Sequence, residues 1–174
     1  MKHFFIPLIL FLLLITEGVA LEVLPSGIAL GNALIVPHWV FICLIFVAVL
    51  YDKENTYYSV LYALVFGLLI DVVYTGVLGV YMFSYAVIIY VIHGVKKVLH
   101  THIYVIILLG IIGLLLVETM ISTIFSVVGI SDMVWYEYTI YRLLPTVLAN
   151  IIFLLVVYPF LQKWFPKWST EELK

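Results

Sequence analysis

Apolar residues fill this chain in long blocks, without the alternation of a strand or the single stripe of a surface helix, and short polar stretches separate the blocks. Six blocks can be marked, with edges good to a few residues: Phe4 to Val23, Leu34 to Tyr51, Tyr57 to Tyr74, Val77 to Val95, Ile103 to Val127 and Ile140 to Leu161. At about 1.5 Å per residue, each approaches or exceeds the roughly 30 Å of a bilayer core. The pattern predicts an all-α integral membrane protein, about six transmembrane helices in one compact bundle spanning residues 1–174. Pro37 and His38 interrupt the second block, so a half-span or re-entrant segment is the alternative there. The first block also has a second reading. Lys2, the run from Phe4 to Ile15 and then Gly18-Val19-Ala20 have the layout of a cleavable secretion signal.

Composition sharpens this picture. Of 174 residues, 66% are apolar and 10% charged, against about 25% charged in a soluble domain, which excludes a water-soluble fold. The six blocks leave too few residues for an extramembrane domain. A net charge of −2 without a Lys/Arg cluster excludes a nucleic-acid surface, and Cys43, the single cysteine, has no internal disulfide partner. Seven of the eight basic residues fall on alternate connections: Lys2, Lys53, Lys96, Lys97, Lys163, Lys167 and Lys174. By the positive-inside rule, both termini are cytoplasmic. The exception is Arg142, at the outer start of span six. Trp135, Tyr136, Tyr138 and Tyr141 mark the outer boundary, and Trp164, Phe165 and Trp168 mark the inner one.

Four ionisable residues fall inside the spans. Glu17, Asp71, Glu118 and Arg142 stand at heights of about 20, 21, 22 and 30 Å above the inner boundary, and Asn150 at about 18 Å. All four belong to the outer half. A central acid or Arg costs roughly 2.5 to 3.5 kcal/mol on insertion scales, so these groups are expected to turn inward and find one another or water. Arg142 is expected to pair with Asp71, with Glu118 as second choice. The bland alternative is structural glue, or a wet outer crevice with no ligand. Gly76 and Gly79 flank a connection too short for a loop, so spans three and four must form a tight hairpin using positive φ. Gly67, Gly110 and Gly113 offer close helix packing.

Other chemistry is thin. His93, His100 and His102 lie near the inner surface without Cys or carboxylate, and His-x-His is not a helical ligand spacing, so no metal site and no cofactor is expected. Ser59, Ser84, Ser122 and Ser126 sit in no recognisable nucleophile motif, and phosphate-binding glycine loops are missing from the sequence. An enzyme is not expected, and a membrane-embedded one is a distant third reading.

The stretch from Leu61 to Tyr85, LYALVFGLLIDVVYTGVLGVYMFSY, resembles the central segment of the bacterial rod shape-determining MreD family, in which a Gly and an Asp four residues on precede a Leu-Gly turn. Lys97 to Thr101, and Arg142-Leu143-Leu144-Pro145-Thr146 followed by Asn150, are similar to the same family's fourth loop and sixth span. The family pattern maps onto Gly67, Asp71, Gly79, Arg142 and Pro145, whereas Glu17, Pro37 and His38 have no counterpart in it. The resemblance implies a non-enzymatic scaffold of the wall-elongation machinery in the bacterial cytoplasmic membrane. Its implied partners are a bitopic MreC-type protein, the MreB filament, the polymerase RodA and a class B penicillin-binding transpeptidase. The family is also similar in architecture to the substrate-capturing subunits of energy-coupling-factor transporters. The rival function is therefore a vitamin-type capture subunit, with Glu17, Asp71, Glu118, Arg142 and Asn150 lining an outer pocket. As a scaffold, the chain would use the same polar cluster and the packing glycines to dock partner transmembrane helices.

Overall fold

In a computed structural model that describes residues 5–23, 34–99, 102–131 and 133–170, every regular element is helical. The helices are α1 (Phe5–Val23), α2 (Trp39–Tyr51), α3 (Tyr58–Thr75), α4 (Val80–Lys96), α5 (Ile103–Val127) and α6 (Trp135–Ser169). Among the described residues, four of them, α1, α3, α5 and α6, are long and apolar enough to cross a membrane. α2 and α4 are apolar but shorter, which leaves the expected count of six full crossings unconfirmed.

α2 is the axis of the bundle. Its residues from Val40 to Val49 are apolar all round and at most 6% exposed, the pattern of a helix enclosed on every side. α1, α3, α4, α5 and α6 all pack against it. The Trp39 ring stacks on Phe153 of α6 at 5.1 Å, and at the other end Phe5 of α1 stacks on Trp168 of α6 at 5.6 Å. That second contact brings the two ends of the described chain together.

Two expected spans are corrected. The second begins as a helix only at Trp39, and Leu34–His38 is a non-helical strap. Pro37 carries no N–H and pushes the residue before it toward extended backbone. The remaining helix is about 20 Å long at 1.5 Å per residue, short of a bilayer core, so both of its ends lie within the bundle. The sixth block, read as Ile140 to Leu161, is the apolar part of a 35-residue helix running from Trp135 to Ser169. Hydropathy sees only the lipid-facing middle and not the aromatic and lysine-bearing turns that continue the helix on either side. This helix contains Pro159 and Pro166 and carries a π-helical turn at Thr139–Leu143.

The hairpin expected between spans three and four is present. α3 ends in a π-helical turn, Asp71–Thr75, after which Gly76 has φ 67° and Gly79 φ 98°. At Gly67 a Cβ atom would lie 2.6 Å from the Met82 Cα, so the two backbones touch where only glycine fits. Glycine also admits a neighbour at Gly18, where the Tyr74 ring crosses α1 and its hydroxyl donates to the Leu14 carbonyl at 2.8 Å. Gly18 therefore packs α1 against α3, and α1 runs unbroken through the stretch that resembles a cleavage site.

Candidate functional site

Helix ends explain where the buried polar residues sit. The first N–H groups and last C=O groups of a helix lack internal partners, and inside a bilayer water does not supply them. α2, with both ends internal, borrows a carboxylate for one end and an ammonium for the other. Glu17 of α1, 3% exposed, accepts from the Val40 N–H at 3.1 Å. Lys96 of α4 donates through Nζ to the Ala48 and Asp52 carbonyls, each at 2.5 Å. Anion at the N-terminus and cation at the C-terminus is also the arrangement that the helix dipole favours.

The same logic places the other acids. Asp71, fully buried, accepts through Oδ2 from the Gly79 N–H at 2.9 Å and the Met82 N–H at 3.1 Å, and through Oδ1 from the Tyr81 N–H at 2.9 Å. Gly79, the residue at the N-cap of α4, has no side chain to cap with, and Asp71 supplies the missing acceptor across the hairpin. Asp52 does this for α3. Its oxygens accept from the Tyr58 N–H at 3.1 Å, the Ser59 N–H at 3.0 Å and the Ser59 hydroxyl at 2.5 Å. Burial pushes the Asp52 carboxyl above its ordinary range, and the Ser59 hydrogen bonds and the Lys96 charge pull it part of the way back.

The expected Arg142–Asp71 pair is not formed. Arg142 Nε lies 3.0 Å from Glu118 Oε1, with a longer 3.5 Å contact from its NH2 group to Oε2, and Asp71 is occupied by the start of α4. Glu118, the second choice, is therefore the partner. Its side chain is 0% exposed while that of Arg142 is 21% exposed, so the carboxylate is enclosed and the guanidinium faces outward. Behind the pair stands His38, fully buried, with Nε2 3.9 Å from Glu118 Oε2 and Nδ1 2.8 Å from the Tyr85 hydroxyl. Glu17, His38, Asp71, Glu118, Arg142 and Asn150 thus gather at one end of the bundle, around the start of α2.

Asn150 and Thr146 hold the strap to α6. The strap's donors go to Tyr141, Thr146 and Asn150: Leu34 N–H to the Tyr141 carbonyl at 2.6 Å, Val36 N–H to Thr146 Oγ1 at 3.1 Å, and His38 N–H to Asn150 Oδ1 at 2.7 Å. In return Asn150 Nδ2 donates to the Val36 carbonyl at 2.8 Å, and the Thr146 hydroxyl to Leu34 O at 3.3 Å. Pro145 fits this arrangement. It has no N–H to offer the carbonyl four residues back, that of Tyr141, which takes Leu34 instead.

Sequence reading found Glu17, Asp71, Glu118, Arg142 and Asn150 but not their assignments. It missed Tyr85, Thr146 and the capping roles of Asp52 and Lys96. The signal for Asp52 was available, an acid just before an apolar block. None existed for Thr146, whose partner is 110 positions away. Gly110 and Gly113 pack against Leu154 and against Ile92 and Phe41, respectively. His93 is buried, while His100 lies outside the described residues. Among the described residues, no group of three or more His, Cys, Asp or Glu side chains is placed to hold a metal ion.

Comparison with known proteins agrees with the resemblance. The family profile described as rod shape-determining protein MreD matches residues 2–168. The rod shape-determining protein MreD of Bacillus subtilis (strain 168) is 30% identical over 161 residues, 92% of each chain. No solved structure matches, and the likeness to transporter capture subunits gains no support. With the profile and the relative both spanning nearly its full length, the chain belongs to the MreD family of rod shape-determining proteins.

Proposed function

We propose that this chain is a non-enzymatic scaffold of the wall-elongation assembly, a single multi-pass unit in the bacterial cytoplasmic membrane that docks the transmembrane helices of its partners. The first of these is a bitopic MreC-type protein, which connects the chain to the MreB filament, to RodA and to a class B penicillin-binding transpeptidase. The observation that carries this reading is the use made of the intramembrane acids. Glu17 and Asp71 cap helices, and Glu118 holds Arg142. A capture subunit needs an enclosed pocket with convergent polar groups free to meet a ligand, and here those groups converge on backbone and on one another. What the bundle offers a partner is its lipid-facing surface, where association rests on packing and on interhelical hydrogen bonds worth on average about 0.6 kcal/mol each. Docking therefore needs an extended face. The polar cluster contributes by fixing the shape of that face and not by touching the partner, a revision of the role first expected for Asp71 and Glu118. The Phe5–Trp168 contact favours chain ends on the same side of the membrane, and the lysine distribution supports a cytoplasmic location for that side.

Photocrosslinkers in cells, at exposed positions Leu61, Leu68 and Val72 of α3 and Leu148, Ile152 and Leu155 of α6, test the proposal. Capture of an MreC-type protein from one of these faces is expected. Capture of a transporter's energising subunits, or of no wall-synthesis protein from either face, would overturn it.

A further inference from the structure

A lysine at a membrane surface ordinarily stretches its charged end toward water. Lys97, the residue after α4, is exposed, yet its ammonium lies back over the Tyr57 ring, 5.6 Å from the ring centre. Tyr57, the N-cap residue of α3, stacks in turn on Tyr90 of α4, with centroids 6.2 Å and planes 24° apart. The two tyrosines are 45% and 59% exposed. Their neighbours are already engaged: Lys96 by the carbonyls at the end of α2, and Asp52 by the start of α3. Among the described residues, no carboxylate pairs with Lys97 and neither of these tyrosine hydroxyls is hydrogen-bonded. An ammonium and two phenols thus share one exposed patch that spans two helices. Away from the lysine-rich end, Leu61, one turn on from Tyr57, and Phe83, two turns back from Tyr90, are each more than half exposed. Because α3 and α4 form a hairpin, both stripes run from the patch in the same direction, into the bilayer.

We propose that Lys97, Tyr57 and Tyr90 bind the headgroup of an anionic phospholipid. A phosphodiester carries negative charge and acceptor oxygens, the complement of a cation beside two phenols that can donate. Amphipathic rings sit well at headgroup depth, where one end is apolar and the other wet. The Tyr57 face holds the ammonium at that depth by attraction to the ring, which distinguishes a site from the diffuse pull of any surface lysine on anionic lipid. A free phosphate compound offers the same charge but has no acyl chain to lie along Leu61 and Phe83, so the lipid is the occupant that uses the whole patch. Bound there, it would staple the start of α3 to the end of α4, at the opposite end of the hairpin from Asp71. The inference does not depend on the scaffold proposal.

The full-length protein in mild non-ionic detergent tests this, melted with rising amounts of dioleoyl-phosphatidylglycerol, dioleoyl-phosphatidylcholine or glycerol phosphate. Phosphatidylglycerol is expected to raise the Tm by about 3 to 6 °C at about tenfold above half-saturation, and the zwitterionic lipid and the chainless phosphate are expected to leave it in place. Lys97→Gln is expected to raise the half-saturating concentration about fivefold. Tyr57→Phe combined with Tyr90→Phe, which keeps both rings, is expected to raise it as well. Lys163→Gln, on the same side but outside the patch, is expected to leave it unchanged. An equal response to phosphatidylcholine, an equal response to glycerol phosphate, or the same loss in Lys163→Gln as in Lys97→Gln would overturn the proposal. Should the patch variants not fold, a phosphatidylglycerol with a photoreactive headgroup decides on the unaltered chain. Labelling is expected at Tyr57, Tyr90 or Lys97; labelling spread equally over Lys163 and Lys167 would overturn the proposal.

Discussion

Asp71 satisfies three backbone N–H groups at once, which makes it the residue whose loss should be felt most. Asp71→Ala leaves all three donors buried without their acceptor, at about 1 to 3 kcal/mol for each unsatisfied group. A drop in thermal stability of several kcal/mol is expected in mild detergent. Asp71→Asn, which keeps one carbonyl acceptor, is expected to lose less. Arg142 and Glu118 behave as a pair. Arg142→Leu strands a buried carboxylate, a loss of about 3 to 5 kcal/mol, whereas Arg142→Leu with Glu118→Leu removes the charge as well and should cost clearly less. Unfolding of both variants checks this, and equal losses would deny the coupling. Height along a helix, read from the sequence, put Glu17, Asp71 and Glu118 at nearly one level and Arg142 about 8 to 10 Å further out, all in the outer half. The direction in which each side chain points was not legible there. Arg142 had two acids to choose from at nearly the same height as each other, and only the hairpin geometry shows that Asp71 is already taken by Gly79, Tyr81 and Met82.

At the scale of elements, the α3–α4 hairpin was readable because everything that builds it lies within about two and a half turns of the connection in sequence: Gly67 for the approach, Asp71 for the cap, Gly76 and Gly79 for positive φ. Substituting Gly67 by Leu is expected to pry α3 from α4 at Met82 and Tyr81, since the obstacle is backbone and cannot swing away. A loss of crosslinking between cysteines placed on the two helices measures it. Gly79→Ala, which meets no neighbouring atom but must hold φ 98°, should cost only about 1 kcal/mol. The strap was not readable. Pro37-His38 announced a break in the second block, but Tyr141, Thr146 and Asn150, which satisfy the freed backbone, stand more than a hundred positions downstream. Thr146→Val, nearly isosteric, removes both the acceptor for Val36 and the donor to Leu34. It should loosen the strap without emptying space, seen as faster exchange of the Val36 amide.

For the whole molecule, the architecture follows from one apolar helix too short to span the bilayer, enclosed by five others. Reporters fused at Met1 and Lys174 should both read cytoplasmic, in keeping with the Phe5–Trp168 contact; opposite readings would remove the common depth of the acids and the scaffold reading with it. The expectation of a cytoplasmic side rests on the lysine distribution, whereas the central position of α2 was hidden, since the Pro37-His38 interruption made the most enclosed helix of the bundle read as the least secure span.

The borrowed caps of α2 also set an order of assembly. When the ribosome has just delivered this helix, Glu17 is available for its start, but Lys96 has not been made, nor have Thr146 and Asn150, which tie down the strap leading into it. Until α4 and then α6 arrive, the core of the protein is a segment with an uncapped far end and a loose strap, best kept near the membrane surface or the insertion machinery. The innermost helix would then be among the last to settle, and the bundle would close around it as translation finishes.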